Sequence, residues 1–487
     1  MLKSRRARLL AAVCSAGLMS GLLGSAAHAE SLADAIALAY QTNPTLQAQR
    51  ASQRALDETY VQARTGLRPT ASVQATLTTT ATDPDTSFTQ NPLNTSSATL
   101  SITQPIYTGG RVSSQIAASE ADVLAGRENL RRVEESVLAG VVQAYVDVRR
   151  DIERLRISQE NVTVLARQLE ETKARFDVGE LTRTDVAQAE ARLAAAQAGL
   201  SSAQAQLAIS RAGYAAVVGQ APGELEPEPS LGNLLPATVD EAFDAAEKNN
   251  PQILAADYTE QASRARVAAA RSQYLPTLGL RGSLGYSAGA YDGGSPFEDH
   301  STALSASAVV TVPIFTGGLT ESTIRQAKER NNVDRISIET ARRSVLQNVS
   351  QSWNQLLGAR ANLISNEEQV RAATVAFEGV RQEAQVGLRT TLDVLNAEQE
   401  LRSAELALAT AKHDEYLAAA LVLSAMGKLE ARYLIPSVPI YDPKTSFERI
   451  NHSWGWVPWE PVIHTIDRLA APQIGPAPAD VPVATAK

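Results

Sequence analysis

Two carboxylates, Asp185 and Asp393, stand at matched points of the segments VGELTRTDV (178–186) and VGLRTTLDVLN (386–396). Each lies three residues after a threonine, Thr182 or Thr390, which is the spacing of a capping box at a helix start. Other residues able to do chemistry are dispersed. His300, His413, His452 and His464 fall on a loop, a helix and the tail, without the spacing of a metal site or a triad. The single cysteine, Cys14, lies in the N-terminal apolar stretch, so disulfides and thiolate metal sites are excluded from the rest of the chain. Carboxylates also abound on the expected helices, where such spacing makes solvated faces with partners one turn away. This inventory argues against an enzyme and implies no cofactor.

Lys3, Arg5, Arg6 and Arg8 precede the apolar run LLAAVCSAGLMSGLLG and an AHA site at 27–29, as in a secretory signal peptide covering 1–29. Val13 before Cys14 fits a lipid-attachment box poorly, and the apolar run is too broken for a spanning anchor. Without those four cations the 45 basic residues become 41 against 53 acidic ones, a formal charge of −12. Nucleic acid is therefore no partner. No later stretch is long and apolar enough for a spanning helix. Any membrane passage must use strands.

The chain is doubled. Asn43-Pro44 recurs as Asn250-Pro251 and Arg68-Pro69 as Leu275-Pro276, 207 residues on. PIYTGG (105–110) recurs as PIFTGG (313–318), Val178-Gly179 as Val386-Gly387 and Gly219 as Gly427, each 208 residues on. So constant an offset means an internal duplication. The organisation expected is a first repeat at 30–221, a proline-rich linker at 222–237, a second repeat at 238–429 and a tail at 430–487. The tail holds SWGWVPWEP and ends in a stretch expected to be disordered; it either packs against the middle of the helices or is poorly ordered.

Each repeat switches period twice. An opening helix leads into a hairpin, at 70–107 and 277–315, whose strands alternate apolar with small polar residues. In the first, Ala98, Leu100 and Ile102 oppose Thr99, Ser101 and Thr103. About ten residues of such alternation suit a tilted outer-membrane strand. A proline-free helix follows at 111–178 and again at 319–386, long enough at 1.5 Å per residue to reach ~100 Å. Val141, Val148, Leu155, Val162, Leu169 and Phe176 form a seven-residue stripe on the first, and Val349, Leu356, Leu363, Val370 and Phe377 on the second. That period predicts left-handed supercoiling. Return helices are expected at 182–218 and 390–427. One return helix and one opening helix, stacked end to end, match the length of the unbroken one.

The repeated hexapeptide is a strand-to-helix elbow. Pro105 and Pro313 are expected to end the ladder for want of an N–H, and Gly109, Gly110, Gly317 and Gly318 to redirect the backbone. Four strands cannot close a barrel in lipid, so copies must combine: two would leave a filled interior, three a bore.

On the doubled elbows and the doubled VG-x(5)-DV turns, spanning about residues 31–429, the chain resembles the TolC family of outer-membrane efflux and secretion channels. The resemblance implies an α+β membrane channel. A homotrimer would form a twelve-stranded outer-membrane barrel, continued by a long helical periplasmic tunnel with an equatorial mixed α/β belt. It implies a periplasmic adaptor and an inner-membrane ABC, RND or MFS transporter docked at the tunnel tip, with gating by iris-like opening. Val178, Gly179, Val386 and Gly387 would lie in adaptor-contacting turns. Thr184, Asp185, Arg389, Asp393 and Asn396 would line the gate, with Arg389 holding the inner coiled coil shut. Rings of Asp185 and Asp393 would favour cations and offer a divalent cation a place to block the pore. Asn396 stands where some members carry a second acid, and Ala384 where some carry an aromatic, so closure would use other links, among them Arg183. The competing reading is a structural or adhesive coiled-coil envelope protein without a pore, which gives no reason for the hairpins.

Overall fold

The computed structural model describes residues 29–80, 93–290, 295–297, 299–435, 439–451, 455–469 and 471–474. The leader expected at 1–29, with Cys14, lies outside these residues but for Ala29, as do His452, residues 81–92 of the first hairpin loop and the tail end expected to be disordered, from 475 on.

The first repeat opens with α1 (Leu32–Thr42) and α2 (Pro44–Thr65). Asn43 divides them: its Oδ1 accepts from the N–H groups of Thr45 and Leu46, and Pro44 occupies the first helical position, where no N–H is needed. β1 (Thr70–Thr80) and β2 (Leu93–Tyr107) make the hairpin. α3 (Arg111–Asp177) then runs 67 residues, ~100 Å, and α4 (Arg183–Val218) returns. The second repeat follows the same order with α5 (Val239–Asn249), α6 (Pro251–Arg271), β3 (Thr277–Ala290), β4 (Ser301–Thr311), α7 (Leu319–Gln385) and α8 (Thr391–Ala425). Three short helices end the described chain: α9 (Ala431–Leu434), α10 (Pro443–Asn451) and α11 (Glu460–Arg468).

The Asn-Pro pairs also splice helices end to end. Asn43 Nδ2 donates to the Val217 carbonyl at 3.0 Å, and Asn250 Nδ2 to the Ala425 carbonyl at 2.9 Å. One side chain thus caps the start of one helix and satisfies an orphan carbonyl at the end of another. Around the two joints lies the main core. Tyr145 and Val141 of α3, Tyr214 of α4, Val349 and Leu356 of α7 and Leu423 of α8 are all buried there. Toward the other end of the seven-residue stripe coverage fades, and Phe176 is exposed in the single chain. The segment between repeats belongs to this region: Leu225 bridges Glu30 in parallel, and Leu231 is buried.

The strands form one antiparallel sheet in the order β1-β2-β3-β4, open at both edges. Its register aligns Val73, Leu100, Leu284 and Leu304 in one row, and Ser72, Ser101, Ser283 and Ser305 in the next. Successive residues face opposite ways, so one face is apolar and the other small and polar. The serines bond each other across strands, Ser72 to Ser101 at 3.1 Å and Ser283 to Ser305 at 2.7 Å.

One expectation needs correction. Pro105 does not end the ladder, because β2 continues to Tyr107 with its register shifting between Pro105 and Tyr107. β1 stops opposite Thr103, so from Gln104 onward β2 has a single partner, and a bulge absorbs the missing donor. Pro313 does stand outside its strand, two residues beyond Thr311.

Candidate functional site

At the end of α3 remote from the sheet, the chain turns through Val178 and Gly179; at the end of α7 it turns through Val386 and Gly387. Gly179 has φ +83° and Gly387 φ +78°, left-handed values that favour glycine. In the first turn Gly179 N–H donates to the Phe176 carbonyl and Glu180 N–H to that of Arg175, both at 2.9 Å. In the second, Gly387 donates to Ala384 and Leu388 to Glu383, at 3.1 and 2.9 Å. An added Cβ on either glycine would meet nothing within 4 Å among the described residues. The turns need glycine for conformation alone and present open backbone to any partner. Each carries an ion pair across its neck, Arg175–Glu180 at 3.0 Å and Arg389–Glu383 at 2.8 Å.

Both return helices start with a closed capping box. Thr182 donates through N–H and Oγ1 to Asp185 Oδ2 at 2.9 and 2.7 Å, and Thr390 does the same to Asp393 Oδ2 at 3.0 and 2.8 Å. The Thr182 hydroxyl, with its backbone N–H, holds the Asp185 carboxyl below the usual carboxylate range. The backbone N–H of Thr390, its hydroxyl and the Arg389 guanidinium do so for Asp393. Both acids are therefore anionic at neutral pH. Among the described residues of one chain, no group of three or more His, Cys, Asp or Glu side chains could hold a metal.

The structure divides the other tip residues. Arg389 pairs with Glu383 of its own turn, so within one chain it does not tie the two helical hairpins together. Thr184 and Arg183 are exposed and make no side-chain hydrogen bond or ion pair among the described residues. Asn396 does bridge: Arg192 of α4 donates from Nη2 to Asn396 Oδ1 of α8 at 3.1 Å, and from Nη1 to Gln399. Arg192 escaped sequence reasoning because nothing adjacent to it marks which helix lies opposite. Beneath this link, Leu165 of α3, Ala196 of α4 and Leu395 of α8 form a small apolar seam. Burial pushes the Glu398 carboxyl beside this seam up to about 7, and its Oε1 has no hydrogen-bond partner among the described residues.

At the sheet end, all four elbow glycines have positive φ: Gly109 +70°, Gly110 +79°, Gly317 +61° and Gly318 +84°. The first elbow is covered, the second open. A Cβ on Gly110 would overlap Ala471, whereas one on Gly318 would meet nothing within 4 Å among the described residues. Gly110 starts α3 without a side-chain cap of its own, and Asp467 of α11 supplies one. The described tail therefore reaches the elbow instead of stopping at the middle of the helices. Asp467 had no visible signal, since its partners lie more than 350 residues away in sequence.

Residues 35–220 and again 242–428 match the family model described as outer membrane efflux protein. The chain belongs to the outer membrane efflux protein family. As a member it is an outer-membrane channel protein that extends into the periplasm, and not an enzyme. The outer membrane efflux protein BepC of Brucella suis biovar 1 is 36% identical over 449 residues, covering 91% of this chain and 95% of that protein. Outer membrane protein TolC of Escherichia coli strain K12 is 27% identical over 435 residues, 86% of either chain. Among solved structures, a membrane protein from Pseudomonas aeruginosa superposes with a TM-score of 0.72 over 83% of this chain and 92% of that one. At 21% identity, that likeness is one of fold. The doubled family match and the channel fold account for the long helices and the amphipathic sheet of this efflux-family chain.

Proposed function

We propose that three copies of the chain form the exit duct of a tripartite efflux pump or type I secretion system, passing cargo from an inner-membrane transporter through a periplasmic adaptor. The observation that carries this reading is the open four-stranded sheet, apolar on one face and lined with serine and threonine on the other. Lipid tolerates no unpaired strand edge, so β4 of one copy must pair with β1 of the next. Three sheets of four strands give a bore wide enough for water. The helices, ~100 Å long, continue that bore into the periplasm.

In this assembly Val178, Gly179, Val386 and Gly387 meet the adaptor, and the exposure of both valines supports that assignment. Asp185 and Asp393 repeat around the axis as negative rings at the closed tip, where cations are favoured and a divalent ion can lodge. The Arg192 link to Asn396 and Gln399 holds the two return helices of one chain together, and opening the iris separates it. Planar-bilayer recording tests the reading: the purified chain should conduct, and Asp185→Ala with Asp393→Ala should weaken cation selectivity and divalent block. A protein that stays monomeric in detergent and never conducts overturns it. Deletion of the protein, with drug sensitivity and secreted proteins both profiled, separates small-molecule from protein cargo.

A further inference from the structure

Helix α11 is inside out. The residues it turns toward the protein are Glu460, Ile463 and Asp467, all buried. The stripe one side over, Trp459, Val462, Ile466 and Leu469, is apolar and exposed, Trp459 by 48% and Leu469 by 80%. Those four fall at intervals of three and four residues, a single helical face. Trp456, in the preceding turn, is exposed as well.

The buried acids lock the segment in place. Glu460 pairs with Arg64 at 2.6 Å and with Arg68 at 2.9 Å. Asp467 accepts from the backbone N–H groups of Thr108, Gly110 and Ser113 and from the hydroxyls of Thr108 and Ser113, at 2.6 to 3.3 Å. Ile463 packs with Leu67, Val112 and Ile116. With its polar side committed to the protein, the helix must show its apolar side to whatever lies outside.

Position identifies what lies outside. Trp459 Nε1 donates to Gln104 Oε1 at 3.2 Å. Gln104 continues the alternation of Ala98, Leu100 and Ile102, the apolar face of β2, so it marks where the lipid-facing band gives way to polar residues. β2 lies between β1 and β3 as far as Thr103. At Gln104, where β1 has ended, the chain leading into β1 still covers that side, since Gln104 Nε2 donates to the Leu67 carbonyl at 2.9 Å; this is not the β1 or β4 edge at which another copy would join. Tryptophan at the edge of an apolar band, an apolar stripe beside it and the exposed cation Arg468 are what a membrane interface selects.

We propose that residues 455–469 form an interfacial anchor, seated on the phospholipid surface at the periplasmic rim of the barrel. The anchor adds a lipid contact that the strands do not make and fixes the elbow between β2 and α3 at the membrane surface. Among the described residues the second elbow has no equivalent, which leaves the two repeats unequal there.

The test uses the full-length chain reconstituted in phosphatidylethanolamine–phosphatidylglycerol vesicles, with or without acyl-brominated phosphatidylcholine. Trp353→Phe, Trp454→Phe and Trp456→Phe leave Trp459 as the sole emitter among the four tryptophans. Brominated lipid should remove most of its emission, while a variant retaining only Trp353, partly buried against the main core, should keep its own. An environment-sensitive thiol probe on Val462→Cys, in the otherwise native chain, should shift to the blue on reconstitution and be quenched likewise. Unquenched emission at both positions overturns the proposal. So does a Val462→Cys probe already shielded in detergent and indifferent to brominated lipid, the signature of a second copy covering the face.

Discussion

Replacing Asp467 by asparagine should release the tail from the first elbow. The carboxylate accepts five hydrogen bonds, three from backbone N–H groups, in a site with no solvent exposure. Burial pushes this carboxyl up, but the bonds from Ser113 and Thr108 outweigh it and hold it below the ordinary value of 3.8. Asparagine retains one acceptor oxygen for Thr108 and Gly110 and turns an amide NH₂ toward Ser113. The Ser113 N–H, now without an acceptor, costs ~1–3 kcal/mol, and loss of the charge at the start of α3 adds up to ~2 kcal/mol. A net loss of about 1–5 kcal/mol in docking raises the opening equilibrium roughly 5- to 4,000-fold. Hydrogen exchange of the full-length protein should read this as lost protection at 108–116 and 460–469, with the rest of α3 unchanged. The wild type should lose the same protection in acid. The folded-state value is depressed, so the stabilisation is complete above 3.8 and disappears as pH falls through the native value. Exchange at 108–116 identical in the asparagine variant and the wild type would refute this account of the clamp.

Other outcomes follow from the same geometry. Gly110→Ala and Gly318→Ala both force alanine into left-handed backbone at about 1–2 kcal/mol, but only the first collides with Ala471, so only it should expose the tail to limited proteolysis. Glu398 should make stability pH-dependent: its native carboxyl stays protonated to about 7 against an ordinary 4.5, so stability falls as pH rises through that window and then levels off. Glu398→Gln should flatten the profile of thermal midpoint against pH and raise the midpoint at pH 8; an unchanged slope would remove the burial argument. Arg192→Ala cuts exposed contacts worth about 0.2–1 kcal/mol each, and should raise open probability a few-fold in bilayer recordings without changing the conductance of the open state.

Much of the architecture was legible because it is written in short-range pattern. Alternation of apolar with serine and threonine specifies a two-faced strand, and a proline-free heptad stripe a long supercoiling helix. Paired glycines mark backbone that side chains rarely adopt. At the tip, the Thr182–Asp185 and Thr390–Asp393 spacing disclosed both caps, since a capping box needs only four consecutive residues. Pro105 misled because a proline's cost depends on whether a second strand lies beside it, and β1 has already ended there.

By itself, then, the sequence determined the doubling, the order of helices and strands, the two-faced sheet and the conformation of the elbows and tip turns, all properties of neighbouring residues. Only the tertiary structure decided that Asn43 and Asn250 splice helix ends, that Arg192 reaches Asn396, and that Asp467 caps an elbow 357 residues upstream of it at Gly110. A side chain's partner across such a distance depends on how whole helices pack, and no local period records which face of one will meet which face of another.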